Sequence, residues 1–365
     1  MKIPAPVKID PDYWRRRRVL VTGHTGFKGA WLSLWLQALG AEVTGVSPSP
    51  RERRSVYRLA AVGGHMRELA LDVRDARGML EAVRESSPEV VIHLAGQPLV
   101  RRSLQEPAGT YEINVMGTVN LLEAVRREGS SVRSVVIVTS DKCYENPGGR
   151  PRRFVESDML GGADPYSSSK ACAELVTASY RRSFFAHDDA PRIATARAGN
   201  VIGGGDWGED RLLPDSVRAV ETGTTLRVRN PDAVRPWQHV LGPLEGYLLL
   251  AQALDLRVTA TDKWNFGPAA GDARSVRWIV ERLGELWDGR LTWAPDSDPN
   301  PPEAEHQEID SARAERELGW LPRGSLADAL GLLVAWHRAE LGGEDMREVS
   351  LAQIDRHSRG NHAGA

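Results

Sequence analysis

Val19-Leu20-Val21-Thr22-Gly23-His24-Thr25-Gly26-Phe27-Lys28-Gly29 passes from a short, continuously apolar strand pattern into a helical one through glycines spaced three apart. A turn without Cβ atoms lets the backbone approach a pyrophosphate, whose charge is met by free N–H groups and the positive end of the helix dipole. Three neighbouring glycines also suit any tight turn, and the spacing departs from G-x-G-x-x-G, so the surroundings decide. Outward from the turn, β-branched runs alternate with longer helical patterns. Glu42 to Val46 comes first, then Leu69 to Asp72 with a helix around Asp75 to Ser86, Val90 to Leu94, a long helix ending near Glu128, and Val135 to Thr139. Strands apolar throughout are covered on both faces, and alternation at this spacing implies right-handed βαβ units. The expected fold is α/β: a Rossmann-type doubly wound parallel sheet whose first turn holds a dinucleotide.

After Arg197 the rhythm gives way to Gly- and Pro-containing segments, with helices near Pro214 to Glu221, Leu241 to Asp255, Ser275 to Trp287 and Ser325 to Glu340. The strands there are short and scattered (Leu226 to Arg229, Leu291 to Ala294, Gln307 to Asp310), which suits a smaller C-terminal α/β substrate-binding lobe over the carboxyl ends of the sheet. The expected division gives residues 1–200 to the dinucleotide-binding domain, with 236–267 returning to it. Residues 201–235 and 268–345 form the substrate lobe, and 346–365 a loose polar tail.

A formal charge of −2 over 365 residues offers no global attraction to nucleic acid or to an anionic membrane. The run Arg15 to Arg18 reads as a solvated lead-in, because no aromatic-basic interleaving follows it. Cys143 and Cys172 are the two cysteines and sit in no metal-like cluster, so neither metal nor structural disulfide is expected. With no signal-peptide pattern and no apolar run of spanning length, a cytoplasmic protein is expected.

Two further patterns carry chemistry. Tyr166-Ser-Ser-Ser-Lys170 follows Asp164-Pro165, a cap and a first-turn proline, which places Tyr166 and Lys170 at i and i+4 on one helical face. A nearby ammonium, with a cationic nicotinamide beyond it, would favour the phenolate and let Tyr166 take a proton from a sugar hydroxyl. The fifth strand ends in Thr139-Ser140-Asp141-Lys142-Cys143-Tyr144, where Ser140 can hold the substrate oxygen opposite Tyr166. Cofactor choice stays open at the second strand. It closes without the acidic residue that binds ribose hydroxyls, and Ser47, Ser49, Arg51, Arg53 and Arg54 suit either a solvated loop or a 2′-phosphate site. Asp72 can reach the adenine end or simply cap its strand.

The chain closely resembles CDP-glucose 4,6-dehydratases of the extended short-chain dehydrogenase/reductase family over nearly its whole length. The matching stretches include Asp12-Tyr-Trp14, the turn itself, Gln97-Pro-Leu-Val100, Asn114-Val-Met-Gly-Thr118, Thr139 to Tyr144, Asp164-Pro-Tyr166 with Lys170, Arg197 to Trp207, Arg211-Leu-Leu-Pro214 and Arg235-Pro-Trp-Gln-His-Val240. The turn and the Tyr-Lys pair are common to the superfamily, whereas Ser-Asp-Lys-Cys-Tyr and Arg-Pro-Trp-Gln-His-Val discriminate. Related dTDP-glucose enzymes carry Asp-Glu where this chain has Asp141-Lys142. Departures are Gly242, where an acidic residue is usual, and Gly96, where alanine is.

The resemblance implies a lyase that converts CDP-glucose to CDP-4-keto-6-deoxyglucose. C4 is oxidised transiently, water leaves across C5 and C6, and the hydride returns to C6. It implies Ser140, Asp141, Lys142, Tyr166 and Lys170 as catalytic, with Asp141 protonating the departing C6 hydroxyl. Lys142 is then either the C5 base, with its pKa depressed by desolvation and by Lys170, or a charged stabiliser of the enolate. It places NAD, with NADP not excluded, against Gly23, Thr25, Gly26, Phe27, Lys28, Asp72, Val73, Leu94, Ala95, Gln97, Asn114 and Thr139, together with Tyr166 and Lys170. It assigns the sugar nucleotide to Asn200, Arg211 and Arg235, arginine being suited to a diphosphate. A homodimer or dimer of dimers is implied as well, paired through the long helices of the fourth and fifth βαβ units. The alternatives are another sugar-nucleotide 4,6-dehydratase, a 4-epimerase, or a non-catalytic dinucleotide-sensing protein. The first pair is separated by Asp141, since epimerisation needs no acid at the C6 oxygen, and the last by the intact Ser140, Tyr166 and Lys170 set.

Overall fold

The computed structural model describes residues 8–50, 54–148, 152–296 and 306–360. Seven strands form its main sheet: β1 (Arg18–Thr22), β2 (Glu42–Ser47), β3 (Arg67–Ala70), β4 (Val90–His93), β5 (Ser134–Val138), β6 (Arg192–Ala198) and β7 (Lys263–Phe266). They lie in the order β7-β6-β5-β4-β1-β2-β3, every pair parallel. The apolar runs form strands because both faces are covered. Val19 and Val21 of β1 join one core with Trp31, Trp35 and Leu248, while Leu20 joins the opposite core with Val83, Leu121 and Val125. The order reverses between β1 and β4, which opens a crevice at the carboxyl ends of these strands.

Early in the chain α1 (Phe27–Ala38) covers one face of the sheet, and α2 (Ala76–Ser86) and α3 (Gly117–Glu128) cover the other. The long helix expected before Glu128 is broken. Short helices at Val100–Gln105 and Pro107–Tyr111 precede a π-helical turn at Glu112–Met116, which runs into α3. Pro107 interrupts the pattern because it cannot continue a hydrogen-bond ladder from the preceding turn. The third strand also ends earlier than its apolar run suggested, so Asp72 lies beyond β3 in the following turn.

The later helices are α4 (Pro165–Phe184), α5 (Leu212–Thr222), α6 (Leu241–Asp255), α7 (Val276–Leu286), α8 (Leu326–Leu341) and α9 (Met346–Ser358). α4 begins where the sequence indicates, with Asp164 accepting from Ser167 N at 2.9 Å and Pro165 in the first turn. α5, α7 and α8 share a separate core with Trp207, Trp237, Ile279, Leu283 and Leu330, edged by short strand pairs such as Leu226–Val228 with Trp293–Pro295. Among the described residues no helix is long and apolar enough to cross a membrane.

The segment 346–365 is not a loose tail where it is described, to residue 360. Asp345 caps α9 at Arg347 N and Glu348 N, and the helix docks through Met346 and Ile354, which join the core with Trp35 and Trp336, and through polar contacts. Trp336 Nε1 donates to Ser350 Oγ (3.0 Å), Gln353 Nε2 to Leu332 O (3.0 Å), and His357 Nε2 lies 3.1 Å from Glu245. Ser350, Gln353 and His357 share the buried face with Met346 and Ile354, so polar residues interrupt the apolar stripe that the sequence would otherwise show.

Candidate active site

Geometry explains each glycine of the first turn. Gly23 has φ +77°, and a Cβ there would lie 2.7 Å from Ala95 N. A Cβ on Gly29 would fall 2.1 Å from Gly23 O, so its absence lets α1 pack directly onto the turn. Gly26 precedes α1 in extended conformation with no side-chain cap, so the first-turn N–H groups are left without a side-chain acceptor. This bare helix start at the sheet's reversal point fits a dinucleotide pyrophosphate.

At the outer end of the crevice, charges are paired. Thr25 Oγ1 and Ser47 Oγ share a 2.7 Å hydrogen bond between the turn and the end of β2. Glu68 on β3 accepts from Tyr57 and lies 2.8 Å from His24 Nε2. Asp72 receives Arg74 N at 2.9 Å and its guanidinium at 2.8 and 3.0 Å, so the carboxylate holds its own turn. The basic loop does not stand free at Arg54, which meets Glu221 at 2.9 Å and Glu340 at 2.8 Å and stacks 4.0 Å above Trp207. Arg51 and Arg53 lie outside the described residues.

The inner end is different. Tyr166 and Lys170 emerge one turn apart from α4, both buried, and Lys170 Nζ donates to Val138 O at 3.4 Å. The loop after β5 brings Ser140 to where it opposes the rise of the Tyr166 pKa. Ser140 Oγ also donates to Asp141 Oδ1 at 3.0 Å and accepts from Lys142 N at 3.2 Å. Burial raises the Asp141 pKa against the opposing charges of Lys142, Lys28 and Arg235, which makes it a carboxyl suited to giving a proton. Burial also pulls Lys170 down to about 8. Tyr166 moves opposite to the direction read from its spacing to Lys170: burial pushes it up to about 12, outweighing Ser140 and Arg211. Helical spacing shows which groups meet, whereas desolvation depends on the neighbouring elements that close over them.

Of the other candidates, Arg235 is buried, donates to Val234 O at 2.9 Å and bears electrostatically on Asp141. Arg211, at the start of α5, meets Asp206 at 2.9 Å and bears on Tyr166. Asn200 follows β6, and its carbonyl accepts from Gln238 N at 3.1 Å. Leu94 and Ala95 extend β4 beside the glycine turn, with Ala95 N donating to Thr22 Oγ1 at 3.2 Å. Asn114, on the π-helical turn, is fully engaged: it accepts from Gln97 N (2.7 Å) and donates to Gln97 O (3.1 Å) and Ser169 Oγ (2.8 Å). It thus ties the start of α4 to the loop after β4. Gln97 spends its side-chain amide on Leu99 and Thr110. The Thr139 hydroxyl points to Glu174, and Val73 is buried facing Gly117, so neither side chain is presented to the crevice. Gly96 lies where a Cβ would come within 3.1 Å of Lys170 Nζ.

Sequence reading missed two groups. Glu174, one turn beyond Lys170, binds Arg197 through Nε (2.9 Å) and Nη2 (2.7 Å), and accepts from Thr139 and from Thr195. Arg197 Nη1 continues to the Tyr144 hydroxyl at 2.7 Å, which donates to Asn265 at 2.8 Å. The 166, 170, 174 spacing was a signal for Glu174. No comparable signal marks Tyr247, which lies inside the mostly apolar α6 yet presents its hydroxyl 3.5 Å from Lys28 Nζ.

A bare glycine turn at the reversal point of a parallel sheet, facing serine, tyrosine and lysine across the crevice, defines a short-chain dehydrogenase-type α/β protein. The chain belongs to the GDP-mannose 4,6 dehydratase family, whose model matches residues 20–331. A CDP-glucose 4,6-dehydratase of Salmonella typhimurium is 44% identical over 355 residues, spanning 95% of this chain and 97% of that relative. The dTDP-glucose 4,6-dehydratase of Streptomyces venezuelae, solved with NAD bound, superposes with a TM-score of 0.76 at 25% identity, over 90% of this chain and 99% of that one. A UDP-glucose 4-epimerase of Thermotoga maritima gives 0.77 at 22% identity, over 88% and 99%, a likeness of fold.

Proposed function

We propose that the protein is a CDP-glucose 4,6-dehydratase using NAD, and that it yields CDP-4-keto-6-deoxyglucose. The observation that carries the reading is Asp141: a buried carboxyl of raised pKa, hydrogen-bonded to Ser140, the serine that bears on the Tyr166 phenol. A 4-epimerase needs no such acid. NAD, held by the glycine turn, would supply the hydride acceptor for C4 oxidation and the hydride donor for C6 reduction, and its oxidised ring would favour the Tyr166 phenolate. Tyr166 takes the C4 hydroxyl proton while Ser140 holds that oxygen. The resulting ketone acidifies the C5 hydrogen. Asp141 protonates the C6 hydroxyl, which leaves as water as the C5–H bond breaks. Lys142 serves at C5, as acceptor of its proton or as a charge beside the enolate; reprotonation at C5 completes the product. Lys170 positions Tyr166.

Asn200, Arg211 and Arg235 hold the sugar nucleotide, the arginines through its diphosphate. The glycine turn, with Asp72 and the loop after β4, holds the dinucleotide. Residues 1–200 with 236–267 act as the dinucleotide-binding part, and 201–235 with 268–345 as the substrate lobe. The enzyme works in the cytoplasm as a homodimer or dimer of dimers, a reading supported by Leu175 and Phe184, which α4 leaves exposed.

Incubation with CDP-glucose and NAD is expected to give a product with the alkali-induced absorbance of a 4-keto-6-deoxy sugar, and dTDP- and GDP-hexoses to give far less. Absence of product from all of them would refute the dehydratase; product from another nucleotide alone would refute the CDP assignment.

A further inference from the structure

The peptide that joins Asp141 to Lys142 is held at both of its polar ends. Its N–H meets Ser140 Oγ at 3.2 Å. Its carbonyl, Asp141 O, accepts from Gln307 Nε2 at 2.9 Å. Within the turn the same carbonyl has only a long contact of 3.5 Å with Tyr144 N, so the distant side chain is its closer partner. Gln307 lies 166 residues further along the chain and is buried, with 5% of its surface exposed.

The direction of this bond is fixed from its far end. Gly148 N can only donate, so Asn146 Oδ1 accepts from it at 3.2 Å, and Asn146 Nδ2 faces Gln307 Oε1 (2.8 Å) and His306 O (3.0 Å). With its oxygen taken by Asn146, Gln307 turns its amide nitrogen to Asp141 O. Backbone groups close the chain at both ends, which leaves one orientation for each amide. The segment that carries Gln307 also reaches both halves of the site. Glu308–Ile309 runs parallel to Arg153–Phe154, and Ile309 packs with Cys143 and Tyr144. One residue before Gln307, His306 bridges to Val234, the neighbour of Arg235. Consecutive residues thus hold the carbonyl of the acid and the strand that bears Arg235, whose charge acts on Asp141. Because a peptide is planar, ψ of Asp141 and φ of Lys142 set the angle between the two side chains, and a peptide held at both N–H and C=O can change neither freely.

Resting on the dehydratase reading above, we propose that Gln307 is a positioning residue for the elimination step: it sets the aim of Asp141 at the C6 oxygen relative to Lys142 at C5. In this role it touches no substrate and moves no proton. Its influence falls on elimination rather than on C4 oxidation, because Tyr166 and Lys170 are carried by α4 and Ser140 follows β5, and Gln307 hydrogen-bonds none of these side chains.

The test follows both half-reactions in one experiment. The full chain loaded with NAD is mixed with a substoichiometric amount of CDP-glucose, in wild type, Gln307→Met and Gln307→Glu. The absorbance of reduced nicotinamide then rises with C4 oxidation and falls with hydride return to C6. Methionine keeps the reach of the side chain and loses both bonds; glutamate keeps the acceptor for Asn146 and loses the donor to Asp141 O. Circular dichroism and thermal unfolding check the fold. In both variants the rise is expected to keep its wild-type rate and KM to stay unchanged. The fall is expected to slow by about tenfold to a hundredfold, the scale of a displacement of about 1 Å, so that reduced dinucleotide accumulates. Rise and fall slowed in the same proportion would show a merely structural role and overturn the inference, as would an unchanged fall, and either would leave the proposed function standing. Should neither variant fold, Asn146→Ala, which frees the far end of the amide, carries the same expectation at smaller size and the same refutation. A wild type that forms no product from CDP-glucose would overturn the dehydratase reading and this inference with it.

Discussion

The two ends of the crevice handle charge in opposite ways. At the outer end, Glu68, Asp72 and Arg54 are partly exposed, and each meets opposite charge or a hydrogen-bond donor. Such pairs contribute little to stability, roughly 0–1 kcal/mol each. At the inner end, Tyr166, Lys170 and Asp141 are at most 8% exposed and none is matched in an ion pair among the described residues. Burial there governs ionisation, raising the phenol and the carboxyl and lowering the amines. The outer end is built like a binding surface. The inner end carries an electrostatic cost that folding alone does not explain, which is where chemistry is to be sought.

Asp141→Asn tests that contrast hardest. Loss of the acid is expected to lower the dehydration rate by about 10²–10⁴-fold, read by single-turnover product formation. Stability should move the other way. Because burial raises the folded-state pKa of Asp141, the folded protein binds this proton more tightly than the unfolded chain does. That contribution is whole below the unfolded pKa and is lost as pH rises through the folded one. At neutral pH the wild type therefore bears a penalty that asparagine lacks, and Asp141→Asn should unfold at a higher temperature than wild type at pH 7, with the difference narrowing in acid. A variant both inactive and less stable at pH 7 would show that the carboxylate is held there by attraction, contrary to the contrast.

Directly behind the inner end lies the exception that sharpens the rule. Glu174 and Arg197 have side chains 3% and 0% exposed and are fully matched to each other. Breaking such a pair leaves an uncompensated buried charge, so Glu174→Ala is expected to destabilise the fold by about 3–5 kcal/mol, seen as a lower denaturant midpoint. Replacing both residues by apolar ones of similar volume should recover much of that loss. If Glu174→Ala were as stable as wild type, the network would not be the rigid base on which Tyr166 and Lys170 stand.

What could be read from the sequence follows the same division. Local spacing was legible: the glycine turn, the Asp164-Pro165 cap and the i, i+4 placement of Tyr166 and Lys170 depend on neighbours in the chain. So did most of the parallel strands, since strands covered on both faces are apolar throughout. What depends on distant partners was not legible. Glu174 gains its meaning from Arg197 on β6, Tyr247 from Lys28 some 219 residues away, and α9 from polar contacts with α6 and α8. The upward push of burial on Tyr166 was not legible for the same reason, because burial comes from elements that meet only in the fold.

Arg54 gives the smallest and most selective test. On sequence, a cluster of arginines after the second strand suits the 2′-phosphate of NADP. In the structure the Arg54 guanidinium is spent on Glu221 and Glu340 and on the face of Trp207, so it joins the loop after β2 to α5 and α8. Reading a phosphate would require breaking both contacts with carboxylates, which cancels most of what the phosphate offers. Arg54→Ala should therefore leave the ratio of NAD to NADP affinity unchanged, and should lower stability by about 1 kcal/mol or less because the pairs are partly exposed. Titration of both dinucleotides against wild type and variant distinguishes the outcomes. A selective loss of NADP affinity would mean that the outer end keeps a cation in reserve for a ligand, and the opposition between paired outer charges and unpaired inner ones would fail at the point where the structure draws it most clearly.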